Sequence, residues 1–158
     1  EKKMSNRKDK VPNWYLDVSL LNKYWGSDRV YHHTAPVNMN FGIREALRLL
    51  SKEGLEVSWD RHRKNAKELW NSLENIGLEL QVKEELRLPT LTTVKIPEGV
   101  DGKAFTKHLL NDFGVEIGGG LGDLAGKVWR IGLMGYNSTS ENVDKIINIF
   151  ETELTKFR

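Results

Sequence analysis

The chain has 158 residues, 39% of them apolar, and its 24 basic and 22 acidic side chains leave a net charge of +2. That length fits one domain or a domain with an appendage, and the balanced charge offers no clustered basic face for nucleic acid. The absence of cysteine excludes disulfide frameworks and thiolate metal sites, and no apolar run approaches the roughly 20 residues that span a bilayer.

The first ten residues, Glu1 to Lys10, are almost wholly polar and hold five basic side chains, as at a linker or a frayed end. They show no signal-peptide pattern, so the chain reads as a soluble intracellular protein or a piece of one. Trp14, Tyr15, Leu16, Val18, Leu20, Leu21, Tyr24 and Trp25 then form an aromatic-rich segment that has to pack on something, either another domain or a second subunit. Gly26 to Pro36 is loop-like and contains Tyr31–His32–His33–Thr34. From Asn38 to Lys52 the spacing of Phe41, Ile43, Ala46, Leu47, Leu49 and Leu50 predicts a largely buried helix, interrupted by Gly54. A longer helix is expected from Leu55 to Ile76, with Gly77 in the place of a left-handed cap.

Beyond Gly77 the period shortens. Leu78, Leu80 and Val82 alternate with polar residues and predict a strand, and Leu91 to Ile96 predicts another. Asp101 to Asp112 reads as a helix. Val115 to Ile117 and Val128 to Leu133 read as the third and fourth strands, separated by Gly118–Gly119–Gly120–Leu121–Gly122. A last helix begins near Ser138 or Thr139, where Ser138 and Glu141 have capping-box spacing. Its inner stripe is Val143, Ile146, Ile147, Phe150 and Leu154. The order predicts an α+β unit, a small antiparallel or mixed sheet covered by helices on one face.

Candidate chemistry is sparse. Tyr31–His32–His33–Thr34 is a poor metal site, because adjacent histidines point in different directions on most backbones and no carboxylate stands at ligand spacing. The Tyr31 and Thr34 hydroxyls can donate to an oxyanion, and ordinary loop packing is the alternative. His62, on the apolar stripe of the long helix, reads as a satisfied or half-buried histidine, and His108 as a surface residue. The glycine run is not a P-loop, since no Gly-Lys-Ser/Thr ends it, nor a dinucleotide fingerprint, since it opens no helix. Arg130 stands among apolar neighbours on a strand. Such an arginine needs an anion, either a ligand carboxylate gripped by two parallel hydrogen bonds or a structural partner such as Glu116 or Asp123. No nucleophile or paired acid and base stands out.

Several stretches together resemble the C-terminal part of the alanine–glyoxylate (serine–pyruvate) aminotransferases, class V homodimers of fold type I that depend on pyridoxal 5′-phosphate. They include Tyr31–His32–His33–Thr34–Ala35–Pro36–Val37, Arg87–Leu88–Pro89–Thr90, Glu116–Ile117–Gly118–Gly119–Gly120–Leu121–Gly122 and Lys127–Val128–Trp129–Arg130–Ile131–Gly132. The stretches are collinear over nearly the whole chain. The resemblance implies that residues 1–53 end the large cofactor domain and that 54–158 form the small C-terminal domain. It implies that Arg130 binds the substrate carboxylate. Tyr31 and Thr34 would reach the cofactor phosphate in the partner subunit's site. Gly119, Gly120, Leu121 and Gly122 would lie at the site entrance, while Gly118 takes a place where family members vary.

The Schiff-base lysine lies upstream of this segment in the family, so no catalytic residue is assigned, and the isolated chain is expected to be inactive. The implied reaction moves an amino group from alanine or serine to glyoxylate or pyruvate. A kynurenine-type aminotransferase of the same fold and a non-catalytic binding or dimerisation fragment are the alternatives. Small amino and 2-oxo acids are the implied partners, with no nucleic acid, membrane or metal. Family members are often peroxisomal or mitochondrial, though no targeting signal is visible.

Overall fold

A computed structural model describes residues 2–158, which divide into two compact units, 2–49 and Leu50–Arg158. In the first, a short helix α1 (Lys2–Ser5) precedes a 3-10 turn at Trp14–Leu16 and helix α2 (Val18–Trp25). Asp17 starts α2: its Oδ1 accepts from the amides of Ser19 at 2.9 Å and Leu20 at 3.4 Å, which satisfies two donors a helix N-terminus leaves unpaired. Helix α3 (Val37–Glu53) follows and runs past Leu49. Its apolar stripe is not buried as expected: Phe41 is 64% and Ile43 60% exposed. The helical period was sound, but nothing among the described residues covers that face.

The second unit is built on helix α4 (Leu55–Asn75), a run free of glycine and proline that places Ala66, Leu69 and Leu73 on one fully buried face. It stops where the sequence puts a glycine. Gly77 takes φ +84°, and the Leu78 amide turns back to the Leu73 carbonyl at 3.0 Å, pairing a terminal carbonyl. The remaining elements are β1 (Leu91–Lys95), α5 (Gly102–Phe113), β2 (Gly118–Gly119), β3 (Val128–Gly132) and α6 (Ser140–Glu153). Asp101 caps α5 by accepting from the amides of Lys103 and Ala104.

The three strands form one antiparallel sheet in the order β1-β3-β2. Side chains alternate across a strand, so Trp129 and Ile131 of β3 share a face with Val94 and Thr92 of β1, their register partners. That face joins α4, α5 and α6 in the core. The Trp129 ring lies 5.2 Å from that of Phe105 and 5.5 Å from that of Phe150. Fully burying side chains of this size contributes about 2 kcal/mol each. The opposite face carries a transverse row, Thr93–Arg130–Gly118, set by the two registers.

Three expectations need correction. Leu78–Val82 makes no strand: Leu80 forms a single bridge to Val94, and the chain departs into a 3-10 turn at Glu84–Leu86 before a ladder can grow. The third strand is not Val115–Ile117. Val115 still serves the α5 terminus, its amide bonding to the Leu109 carbonyl at 3.0 Å, and ladder pairing begins only at Gly118. The cap of α6 is Thr139, whose side chain accepts from the Asn142 amide, and not Ser138. Ser138 is fully buried, and its carbonyl is bound by α4 instead.

Candidate functional site

Val128, Trp129 and Ile131 are strand formers, and they bring Arg130 onto the sheet face away from the helices. Arg130 is half-buried, and its Nε donates to the Gly119 carbonyl at 2.7 Å. Neither expected acidic partner pairs with it. Among the described residues no carboxylate oxygen comes within 4.0 Å of its nitrogens. A half-buried guanidinium whose terminal amino groups meet no acceptor among the described residues is a ready grip for an external carboxylate.

The loop between β2 and β3 needs glycine at particular points. A Cβ on Gly120 would fall 1.9 Å from the Leu124 carbonyl oxygen, where the chain folds back on itself. Gly122 takes φ +55°, a left-handed backbone that begins the 3-10 turn Gly122–Leu124. Gly120 closes the ladder, its amide bonding to the Val128 carbonyl at 2.9 Å. Leu121 at the tip is 71% exposed. Of this loop, Gly119 touches the Arg130 side chain through its carbonyl, while Gly120 packs on Leu124 and Val128.

Beyond β3 the chain turns through Gly135–Asn137, and α4 holds that turn with three polar side chains. Arg61 donates to Glu53 through Nε and Nη2 at 2.6 and 3.0 Å, and through Nη1 to the Gly135 and Ser138 carbonyls at 3.0 and 2.6 Å. The hydrogen bond from Arg61 holds the Glu53 carboxyl below the usual carboxylate range. Asn65 adds a bond to the Ser138 carbonyl at 2.8 Å. His62 faces the Ser58 carbonyl through Nδ1 at 2.6 Å and the Gly135 amide through Nε2 at 2.9 Å. A carbonyl only accepts and an amide only donates, so the proton sits on Nδ1 and Nε2 accepts. His62 is therefore satisfied, as its place on the helix predicts. Arg61 and Asn65 escaped sequence reasoning, because nothing in their spacing on α4 marks a partner more than seventy residues away.

Tyr31 and Thr34 belong to the first unit, where their hydroxyl oxygens lie 2.8 Å apart. Tyr31 is 68% exposed, so both hydroxyls can turn to one anionic oxygen. The two histidines between them do not diverge as expected: their Nδ1 atoms approach to 2.8 Å. The cause is Trp14, which stacks on the His32 ring at 4.1 Å while its carbonyl accepts from Nε2 at 3.1 Å. With both nitrogens of His32 engaged, a metal would have to displace existing bonds. His108 also differs from expectation. It is half-buried between Asp112 and Glu153, with Nε2 2.8 Å from Glu153.

A mostly apolar cleft of about 560 Å³ is lined by Leu50, Leu55, Trp59, His62, Pro89 and Thr90 among others. A smaller one of about 210 Å³ lies between Glu116 and Lys145. Arg130 is in the wall of neither.

The sequence model described as aminotransferase class V matches residues 15–146. The alanine–glyoxylate aminotransferase of Callithrix jacchus is 51% identical over 148 residues, which is 91% of this chain and 36% of that protein. Among solved structures, an alanine–glyoxylate aminotransferase from Nostoc sp. is 61% identical with a TM-score of 0.89, over 95% of this chain and 40% of that one. The ureidoglycine–glyoxylate aminotransferase of Bacillus subtilis is 38% identical with a TM-score of 0.90, over 97% of this chain and 40% of that one. The chain thus spans about 36–40% of the length of these relatives. The three-stranded antiparallel sheet and six α-helices of the described residues match part of a fold-type-I aminotransferase, and with the family model matched over most of its residues, the chain belongs to the class V aminotransferases.

Proposed function

We propose that this chain supplies the substrate-carboxylate grip of a pyridoxal 5′-phosphate-dependent aminotransferase that passes an amino group from alanine or serine to glyoxylate or pyruvate. The observation that carries this reading is Arg130, half-buried on the open sheet face, anchored through Nε to Gly119 and with its terminal amino groups unengaged by any described residue. Glyoxylate appears in the names of the Callithrix, Nostoc and Bacillus relatives, which supports it as acceptor, whereas their amino donors differ.

Residues 1–53 would end the large domain and 54–158 would form the small one. The neighbouring hydroxyls of Tyr31 and Thr34 suit a phosphate oxygen, because each carries one proton and, on giving up their mutual hydrogen bond, both can donate to it. In a homodimer they would serve the partner's site. When bound, pyridoxal 5′-phosphate supplies the carbonyl that takes the amino group and the ring that draws electrons from the substrate Cα–H bond. Arg130 fixes the substrate carboxylate by two parallel hydrogen bonds, which sets the direction of that Cα–H bond; the gain is one of orientation. No lysine of this chain is assigned to bind the cofactor, so the isolated chain would not transaminate.

The test is Arg130→Lys in the full-length protein that contains this chain. A lysine keeps the charge and loses the fork, so kcat/KM for alanine with glyoxylate should fall by roughly 30-fold or more, the worth of one charge-assisted hydrogen bond of about 2 kcal/mol. Unchanged kinetics with alanine, serine and ureidoglycine would remove Arg130 from the site.

A further inference from the structure

Gly118 stands directly opposite Arg130 in the β2–β3 ladder. Its φ is outside the left-handed region, so the backbone does not require glycine there. The space does. A Cβ built on Gly118 would lie 3.3 Å from Arg130 Nη2, 3.5 Å from Nε and 3.6 Å from Cζ. The guanidinium therefore rests over the Gly118 Cα, in the volume that a cross-strand side chain would fill. The next residue completes the support: the Gly119 carbonyl accepts from Arg130 Nε at 2.7 Å.

An arginine has five N–H donors in a fixed plane, and this contact uses the one on Nε. The edge formed by Nε and Nη2 is thereby occupied. The edge formed by Nη1 and Nη2 meets no described acceptor and remains for a ligand. We infer that Gly118 is a positioning residue. The missing side chain at 118 lets the guanidinium lie flat on β2, and the Gly119 carbonyl then turns it so that a carboxylate is received end-on, across Nη1 and Nη2. The ligand class follows from the geometry: a small 2-oxo or amino acid whose carboxylate plane is coplanar with the guanidinium. This inference rests on Arg130 being the carboxylate grip.

A side chain at 118 would have to lift the guanidinium. At 3.3 Å the contact with an added methyl is tight, and the flexible arginine end gives way by a few tenths of an ångström. A branched side chain displaces it further. The test compares Gly118→Ala, Gly118→Val and Arg130→Lys in the full-length protein, with alanine and alaninamide as amino donors. The readout is the ratio of kcat/KM for alanine to that for alaninamide, which lacks the carboxylate. Misplacement by 1 Å costs on the order of a hundredfold, so the ratio should fall roughly threefold to tenfold in Gly118→Ala and further in Gly118→Val. A purely structural defect lowers both donors alike and leaves the ratio in place, and that result would overturn the inference. So would an unchanged ratio in Gly118→Ala while Arg130→Lys lowers it. If Arg130→Lys itself leaves the ratio unchanged, the carboxylate grip is wrong and the inference falls with it. Should Gly118→Val fail to fold by circular dichroism, Gly118→Ala alone decides.

Discussion

The sheet that carries Arg130 is tied to α4 by one buried polar contact, and removing it tests how the unit is held. Trp70 Nε1 donates to Thr92 Oγ1 at 2.8 Å, and the two residues are 8% and 4% exposed. Thr92 pairs with Ile131 in the β1–β3 register, next to Arg130. Thr92→Val keeps the shape and deletes the acceptor. An indole N–H only donates, so it is left without a partner in the core. A satisfied hydrogen bond contributes about 1 kcal/mol net, but stranding a buried donor costs about 1–3 kcal/mol. Thr92→Ser retains the oxygen and gives up one methyl, about 0.8 kcal/mol.

The assay is urea unfolding of the chain followed by far-ultraviolet circular dichroism, with the slope checked so that only the midpoint moves. A loss of about 2 kcal/mol corresponds to a fall in Tm of roughly 4–8 °C for a chain of this size. Trp70→Phe with Thr92→Val completes the cycle. With both polar groups gone nothing is stranded, so the double variant should be less damaged than the two single losses added together. The reasoning is refuted if Thr92→Val is no worse than Thr92→Ser, or if the two single losses add without coupling.

Three further outcomes follow from the same geometry. Gly120→Ala drives a methyl against the Leu124 carbonyl, a backbone atom, and should cost about 3 kcal/mol, against about 1 kcal/mol for Gly122→Ala, which meets only its left-handed φ. Equal midpoints for the two in urea would contradict that close approach. His62→Ala removes the acceptor of the Gly135 amide, so hydrogen exchange at Gly135 should quicken; unaltered protection would mean that the turn does not depend on His62. The third outcome concerns acid. Glu53, Glu141 and Glu153 are held below the ordinary carboxylate range, by the Arg61 hydrogen bond for Glu53, by its own backbone amide for Glu141, and by Lys156 and then His108 for Glu153. A carboxyl depressed in the folded state stabilises fully above its unfolded value of about 4.3, and that stabilisation is lost as pH falls through the folded value. Tm should therefore drop on acidification below about pH 4, and Glu53→Gln should make the drop shallower. An identical pH profile in Glu53→Gln would show that its ion pair contributes nothing.

Helices α3 to α6 were legible because each carries two independent signals, whereas α1 lies in the polar start that reads as a frayed end. For α4, the stripe from Ala66 to Leu73 and the glycine at 77 agree, and the helix ends within a residue or two of where they place it. For α5, Asp101 announces the start. Burial was legible only where the covering surface lies in the same unit: α4 and α3 have equally good stripes, yet that of α3 stays exposed. Strands were harder. Leu78–Val82 has the alternation of a strand, but alternation reports one face's polarity and says nothing of a partner long enough to pair with. The α6 cap was misplaced by one residue because Ser138, a good capping residue by type, is committed to the Arg61 and Asn65 bonds that its carbonyl receives across more than seventy residues.

The glycine run shows why the strand beneath Arg130 was hard to read. Glycine is poor in strands, since it offers no side chain to pack, so a run of it argues for a loop. That argument assumes that the partner strand's side chain needs something to lean on. Arg130 needs the reverse. Its guanidinium is planar and must be supported without losing its outer edge, and a bare backbone does both: Gly118 leaves the space and Gly119 supplies the carbonyl. The two glycines pair in the ladder and touch the arginine side chain, and a strand propensity averaged over ordinary neighbours has no way to register that contact. The question to put to the sequence was what Arg130 would rest on. Asked that way, Gly118–Gly119 reads as the facing strand and Gly120–Leu121–Gly122 as the turn that returns the chain to β3.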